Sequence, residues 1–189
     1  MNKSKVIAVG MSTIVFMALS SCSHSPTSPN QLSPNLIQNS SFQVNGQPSL
    51  QYWICDTSLA TLVKDGPNDD STWSLQLRFG QGREGYAQTW IPAEAGSGTY
   101  TLTAWVKSNN GWTGNIGIYK WSSQTDGWST QKLVNGGLTQ WSMLSVSVNL
   151  SLLRSDSIMV ELITGATVGS PPPPDAEVLF TDIKLQKVQ

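Results

Sequence analysis

The 189-residue sequence holds one histidine and two cysteines, and both shortages exclude chemistry. His24 falls among Ser, Pro and Thr near the start, so Ser-His or Cys-His nucleophile pairs and histidine metal sites are excluded from the folded part of the chain. Cys22 adjoins an apolar leading segment, which leaves Cys55 alone, and one cysteine builds neither a disulfide framework nor a zinc site. In Tyr52-Trp53-Ile54-Cys55 it reads as a small buried hydrophobe rather than a reactive thiol. Charge is scarce as well. Setting aside Lys3 and Lys5 leaves nine of the 11 basic residues against 12 acidic ones, a mild negative balance that gives nucleic acid no footprint.

Nor do the acids suggest a hydrolase, which needs two carboxyl groups held across the scissile bond. Glu84, Glu94, Glu161 and Glu177 are far apart, and Asp69-Asp70, with Asp65, Pro67 and Asn68 nearby, has the composition of a solvated turn. The chain therefore reads as non-catalytic.

Long hydrophobic runs are missing too. Val6 to Leu19 is too short for a confident membrane span, and behind Lys3 and Lys5 it has the pattern of a secretory signal. It ends in Leu19-Ser20-Ser21-Cys22, which resembles the lipobox of bacterial lipoproteins. That resemblance implies removal of residues 1–21 and lipidation of Cys22, each buried methylene adding about 0.8 kcal/mol of membrane attachment. Ser23, in place of an aspartate, implies the outer membrane, on its periplasmic or surface side. Residues 22–34 contain Pro26, Pro29 and Pro34 among polar residues and read as a tether, with one domain over 35–189.

No window of that domain sustains a helical period. What is present is a series of short extended runs separated by Gly, Asn, Asp, Ser and Pro: Asn35 to Gln38, Leu50 to Cys55, Ser74 to Phe79, Tyr86 to Ile91, Thr99 to Lys107, Asn115 to Trp121, Met143 to Leu150, Ile158 to Ile163 and Val178 to Leu185. About nine strands predict an all-β, two-sheet antiparallel sandwich. Alternation turns Leu75, Leu77, Tyr100, Leu102, Ala104, Val106, Ile116 and Ile118 inward, and turns Gln76, Arg78, Thr103, Trp105, Tyr119 and Trp121 outward. The stretch Ser122 to Thr130, with Trp128, reads as a polar loop. Asn109-Asn110-Gly111 before Trp112 reads as a hairpin turn, and Pro171 to Pro174 as a stiff connector.

From Asn35 to Val188 the chain resembles the β-jelly-roll carbohydrate-binding modules attached to bacterial xylanases and glucanases. The resemblance is carried by Asn35-Leu36-Ile37-Gln38-Asn39 with Ser41-Phe42, Trp53, Ser74 to Leu77, Gly85 to Thr89, Tyr100 to Lys107, Trp141 ahead of Leu144-Ser145-Val146, and Phe180-Thr181-Asp182-Ile183. It implies a jelly roll that binds polysaccharide or oligosaccharide on one sheet, with Trp53 and Trp141 in the core and often a structural calcium. Asp182 matches the acidic calcium position. Gln43 stands where members commonly have Glu, and losing a charged oxygen ligand weakens such a site.

Eight tryptophans in so short a chain need sorting, and the outward ones are either a ligand platform or a second small core under long loops. Trp105, Tyr119, Trp121, Trp112 and Trp128 are the expected stacking platform, on the premise that the strands flanking Asn109 to Gly111 are neighbours in one sheet. Gln76, Arg78 and Thr103 are the expected hydrogen-bonding neighbours. Trp73 and Trp90 border strands, and alternation leaves their faces open. The reading is a membrane-anchored sugar-binding protein; the rival is an envelope lipoprotein whose jelly roll binds another protein, for which a broader patch with outward aliphatics is expected.

Overall fold

The computed structural model describes residues 32–68, 71–80, 82–92, 96–109, 112–136, 139–165 and 176–188. Among these the regular elements are all strands: β1 (Gln43–Val44), β2 (Gln47–Pro48), β3 (Ile54–Cys55), β4 (Ala60–Lys64), β5 (Trp73–Arg78), β6 (Tyr86–Pro92), β7 (Gly98–Ser108), β8 (Thr113–Ser122), β9 (Gly127–Gly136), β10 (Ser142–Leu150), β11 (Ser157–Gly165) and β12 (Glu177–Lys187). β1 and β2 form a small hairpin. The rest make two antiparallel five-stranded sheets, in the orders β10-β7-β12-β5-β4 and β3-β6-β11-β8-β9.

The alternation read from the sequence decides what lies between the sheets. Tyr100, Leu102, Ala104 and Val106 of β7, with Leu75 and Leu77 of β5, are essentially inaccessible, as are Ile116 and Ile118 of β8 and Ile158, Val160 and Leu162 of β11 on the facing sheet. Each such aliphatic side chain stabilises the fold by about 1.5–3 kcal/mol on burial. Trp53 is in this core, its ring 5.2 Å from that of Phe42 and its indole N–H donating to the Asn39 carbonyl at 3.1 Å.

The all-β sandwich expected from the sequence is what forms, with changes in its parts. Asn35 to Gln38 is not a strand; instead Leu32 to Leu36 runs along the end of β12 that β5 leaves free. Leu32 bridges Val188, the Ser33 amide donates to the Lys187 carbonyl at 2.8 Å, and the Asn35 amide group spans Ile183 and Leu185. Leu32 and Ser33, read as tether, thus belong to the sandwich. Leu50 to Trp53 is a turn, leaving only Ile54–Cys55 extended. β4 and most of β9 were not expected: β4 is an edge strand with little alternation, and β9 begins within the stretch that reads as a polar loop.

Candidate functional site

Trp105 and the pair Tyr119 and Trp121 do not share a face. β7 pairs with β10 and β12, whereas β8 pairs with β11 and β9, so these rings stand on opposite sides of the sandwich. The chain crosses between sheets where a hairpin is expected. Trp112 is drawn into the core and is 4 % exposed, which makes it a packing residue and not a stacking platform. Its amide donates to the Asn109 carbonyl at 3.2 Å, and Asn109 is itself tied to Glu177 at 3.1 Å. Gly114 then starts β8 close against the facing sheet: a Cβ there would lie 2.5 Å from Val178 and 2.8 Å from Phe180. Asn110 and Gly111 lie outside the described residues.

On the β7 side Gln76 and Arg78 are occupied by Glu177 and by each other. Gln76 Nε2 donates to Glu177 Oε2 at 2.7 Å, Arg78 Nε lies 2.9 Å from Glu177 Oε1, and Arg78 Nη2 donates to Gln76 Oε1 at 3.0 Å. The segment after β4 folds over this sheet through Asp65, which pairs with Lys107 Nζ at 2.6 Å and accepts from Trp141 Nε1 at 3.0 Å. Trp141 is therefore half-buried on the outer face rather than in the core. Leu179, Thr181 and Ser74 occupy outward positions yet are buried, and Trp105 and Thr103 are half-buried. In register Trp105 stands between Met143, which is exposed, and Thr181, which is buried, so its cross-strand neighbours are not aromatic.

The other sheet carries the two exposed tryptophans, Trp90 and Trp128, on an outer face where Tyr119 and Trp121 are half-buried. In register, its outward positions run Trp90, Met159, Tyr119, Thr130 across β6, β11, β8 and β9, with Ser157, Trp121, Trp128 on one side and Ile54, Gln88, Glu161, Gly117 on the other. Trp90 is 51 % exposed and Trp128 39 %, and their rings meet edge-on with centroids 4.9 Å apart. Their strands are separated by two others, about 14 Å at the usual spacing, so both side chains lean inward across the face. Met159 lies between them and is nearly inaccessible although it points outward.

Beside the aromatics is a polar strip. Gln88 Nε2 donates to Glu161 Oε1 at 2.7 Å. Burial, and then a hydrogen bond to the Glu161 carboxylate, hold the Tyr119 hydroxyl far above the ordinary tyrosine range. Gly117, next to Glu161 in register, is buried. The described outward positions of this sheet include Glu161 and no lysine or arginine.

The end of this face is fastened by Asp156, a buried carboxylate. It accepts from the Leu153 amide at 2.9 Å and the Ser123 amide at 3.2 Å, and pairs with Lys120 Nζ at 2.9 Å, so the 151–156 turn is locked to the β8–β9 hairpin that carries Trp121 and Trp128.

Of the expected platform, then, the structure brings together Tyr119, Trp121 and Trp128 and separates Trp105, Trp112, Gln76, Arg78 and Thr103 from them. Sequence reasoning missed Trp90, Gln88 and Glu161. Extending the alternation of Tyr86 and Gln88 by two residues would have placed Trp90 outward.

The residues proposed for calcium do not fit one. Asp182 Oδ2 is 2.7 Å from Lys184 Nζ, which already neutralises it, Gln43 brings no charge, and no group of three or more His, Cys, Asp or Glu residues that could hold a metal occurs among the described residues. The Cys55 thiol is half-buried, and burial followed by the charge of Asp56 pushes its pKa up, away from reactivity. Cys22, His24 and Pro171 to Pro174 lie outside the described residues.

No family model and no curated protein matches the chain. The fold is nonetheless similar to solved carbohydrate-binding modules. A family 61 module in complex with β-1,4-galactotriose is 14 % identical with a TM-score of 0.56, over 82 % of this chain and 99 % of that one. The CBM22-1 xylan-binding domain of Paenibacillus barcinonensis Xyn10C is 12 % identical with a TM-score of 0.56, over 86 % of this chain and 98 % of that one. The enzymatically active part of tailspike protein 4 of bacteriophage CBA120 is 14 % identical with a TM-score of 0.58, over 82 % of this chain but 21 % of that one. At these identities the similarity is one of fold.

Proposed function

We propose that the chain is a non-catalytic carbohydrate-binding protein, and that its glycan lies across the outer face of the β3-β6-β11-β8-β9 sheet. The observation that carries this reading is the gathering of Trp90, Tyr119, Trp121 and Trp128 around the Gln88–Glu161–Tyr119 strip. Same-face residues about 6.7 Å apart along a strand match the scale of a pyranose ring, so Tyr119 and Trp121 offer successive stacking positions while Glu161 and Gln88 address hydroxyls. With a carboxylate in the strip and no cation on the described part of the face, the ligand is an uncharged glycan. The fold similarity to sugar-binding modules supports the same class of ligand.

An open face with few anchors fits an affinity of about −4 to −8 kcal/mol, millimolar to micromolar dissociation constants. The protein-binding alternative is less well supported, because the exposed aliphatics are scattered: Met143 on the opposite sheet, Leu32 beside the end of β12, Leu153 in a turn, and Ile54 alone beside the aromatics. A lipid anchor at Cys22 would hold this face at the outer membrane of a bacterial envelope.

Retention of the soluble domain by immobilised neutral polysaccharides tests the reading. Trp90→Ala and Trp121→Ala each cost over about 1 kcal/mol of binding, whereas Trp105→Ala on the opposite sheet costs none. Equal loss in all three variants, or retention of an unrelated protein instead of glycan, contradicts it.

A further inference from the structure

The outer face does not end at its last full strand. β3 contributes only Ile54 and Cys55, paired with Gln88 and Ala87, so from Thr89 onward β6 has no strand on that side. The gap opens into a cavity of about 440 Å³ bordered by Leu36, Gln38, Tyr52, Trp53, Thr89 and Trp90. No residue bordering it is charged. Trp90 belongs to both places, since its ring stands on the open face and also walls the cavity.

Tyr52 is held there against its own preference. The Trp53 amide donates to the Leu50 carbonyl at 2.9 Å, closing a four-residue turn in which Tyr52 is the third residue at φ 73°. That position ordinarily requires glycine or asparagine, because a side chain strains it. Asn39 clamps the turn through the Ser49 and Gln51 carbonyls at 2.8 and 2.9 Å. The ring gains little burial in return, being 53 % exposed beside Ile54 and Trp90, at 57 % and 51 %. Strained residues whose fold does not reward them concentrate where a ligand does.

We infer that this cavity is a second subsite, taking one uncharged sugar residue that projects from the glycan on the outer face, with Tyr52 and Trp90 against its apolar faces and Gln38 toward its hydroxyls. The inference rests on the proposed reading of that face. A straight chain lying on the sheet does not need the space beyond the edge of β6, whereas a chain carrying single-residue branches fills it. The preferred ligand is therefore a branched neutral polysaccharide, and about 440 Å³ is within the range of pockets that enclose small ligands.

Calorimetry on matched neutral oligosaccharides tests this: linear mannan against galactosyl-substituted mannan, linear xylan against arabinosyl-substituted xylan, and cello-oligosaccharides against xylosyl-substituted ones. The wild-type domain should bind one substituted member about ten-fold more tightly than its linear partner. Tyr52→Gly, which removes the ring and suits the backbone, should abolish that preference while leaving the linear affinity unchanged. Binding that is lost in Trp121→Ala but is indifferent to branching and to Tyr52→Gly overturns the subsite and leaves the face standing. Absence of binding in every pair, with wild type and Trp121→Ala alike, overturns the face and the subsite together.

Discussion

Trp90 and Trp128 touch edge to face at 4.9 Å although β6 and β9 are separated by β11 and β8. Two exposed rings that reach over an outward Met159 cover apolar surface the sheet would otherwise leave to water, and they bound the aromatic face on the side away from Glu161.

The Tyr119 hydroxyl predicts an alkaline limit. Its folded pKa is raised, so below about pH 10 folded and unfolded chains are both protonated and nothing changes. Above that, the unfolded tyrosine ionises while the folded one keeps its proton, and stability falls as pH rises. Urea midpoints from pH 8 to 11 should show this slope, reduced but not abolished in Tyr119→Phe, because burial also raises Tyr100. An identical slope in the variant would contradict the raised pKa of Tyr119.

Asp156 predicts the opposite limit. The Leu153 amide first, and then the Lys120 ammonium, hold its carboxyl well below the usual carboxylate range. Its stabilisation is thus complete above the unfolded pKa of about 3.9 and is lost as pH falls toward the depressed folded value. Asp156→Asn should lower the melting temperature at pH 7 and flatten the loss between pH 4 and pH 2. An unchanged acid profile would mean that Asp156 is not the fastening point.

Chelation is expected to shift the melting temperature by no more than a degree or two, since Asp182 is already paired with Lys184 and Gln43 is neutral. A drop of tens of degrees in EDTA, restored by calcium, would show a metal site that these residues do not account for.

Cys22→Ala should release the protein from the membrane fraction or leave an uncleaved precursor. Fractionation and migration like the wild type would remove the lipid anchor from the proposal.

The sandwich was legible because alternation is local: Leu75, Leu77, Tyr100, Leu102 and Val106 state their own faces. Which strands lie side by side is not local. Ser108 to Gly114 has the composition of a hairpin turn, whereas the strand pairing, the burial of Trp112 and the close approach at Gly114 reveal a crossing between sheets. That single misplacement put Trp105 in one sheet with Tyr119 and Trp121, whereas Trp90 needed the alternation of its own strand carried two residues further, and its partner in register, Met159, is far along the chain. The loss of Gln76 and Arg78 as ligand contacts had no signal in their own strand either, because Glu177, which engages both, is 101 residues from Gln76.

The central claim is that the glycan occupies the Trp90, Trp121 and Trp128 face. It is tested most directly by the indole N–H resonances of the soluble domain, assigned by single substitutions and followed during titration with a retained oligosaccharide. The expected result is saturable shifts of the Trp90, Trp121 and Trp128 signals, with Trp105 and Trp141 unmoved. Shifts confined to Trp105 and Trp141 would place the ligand on the opposite sheet and contradict the proposed site.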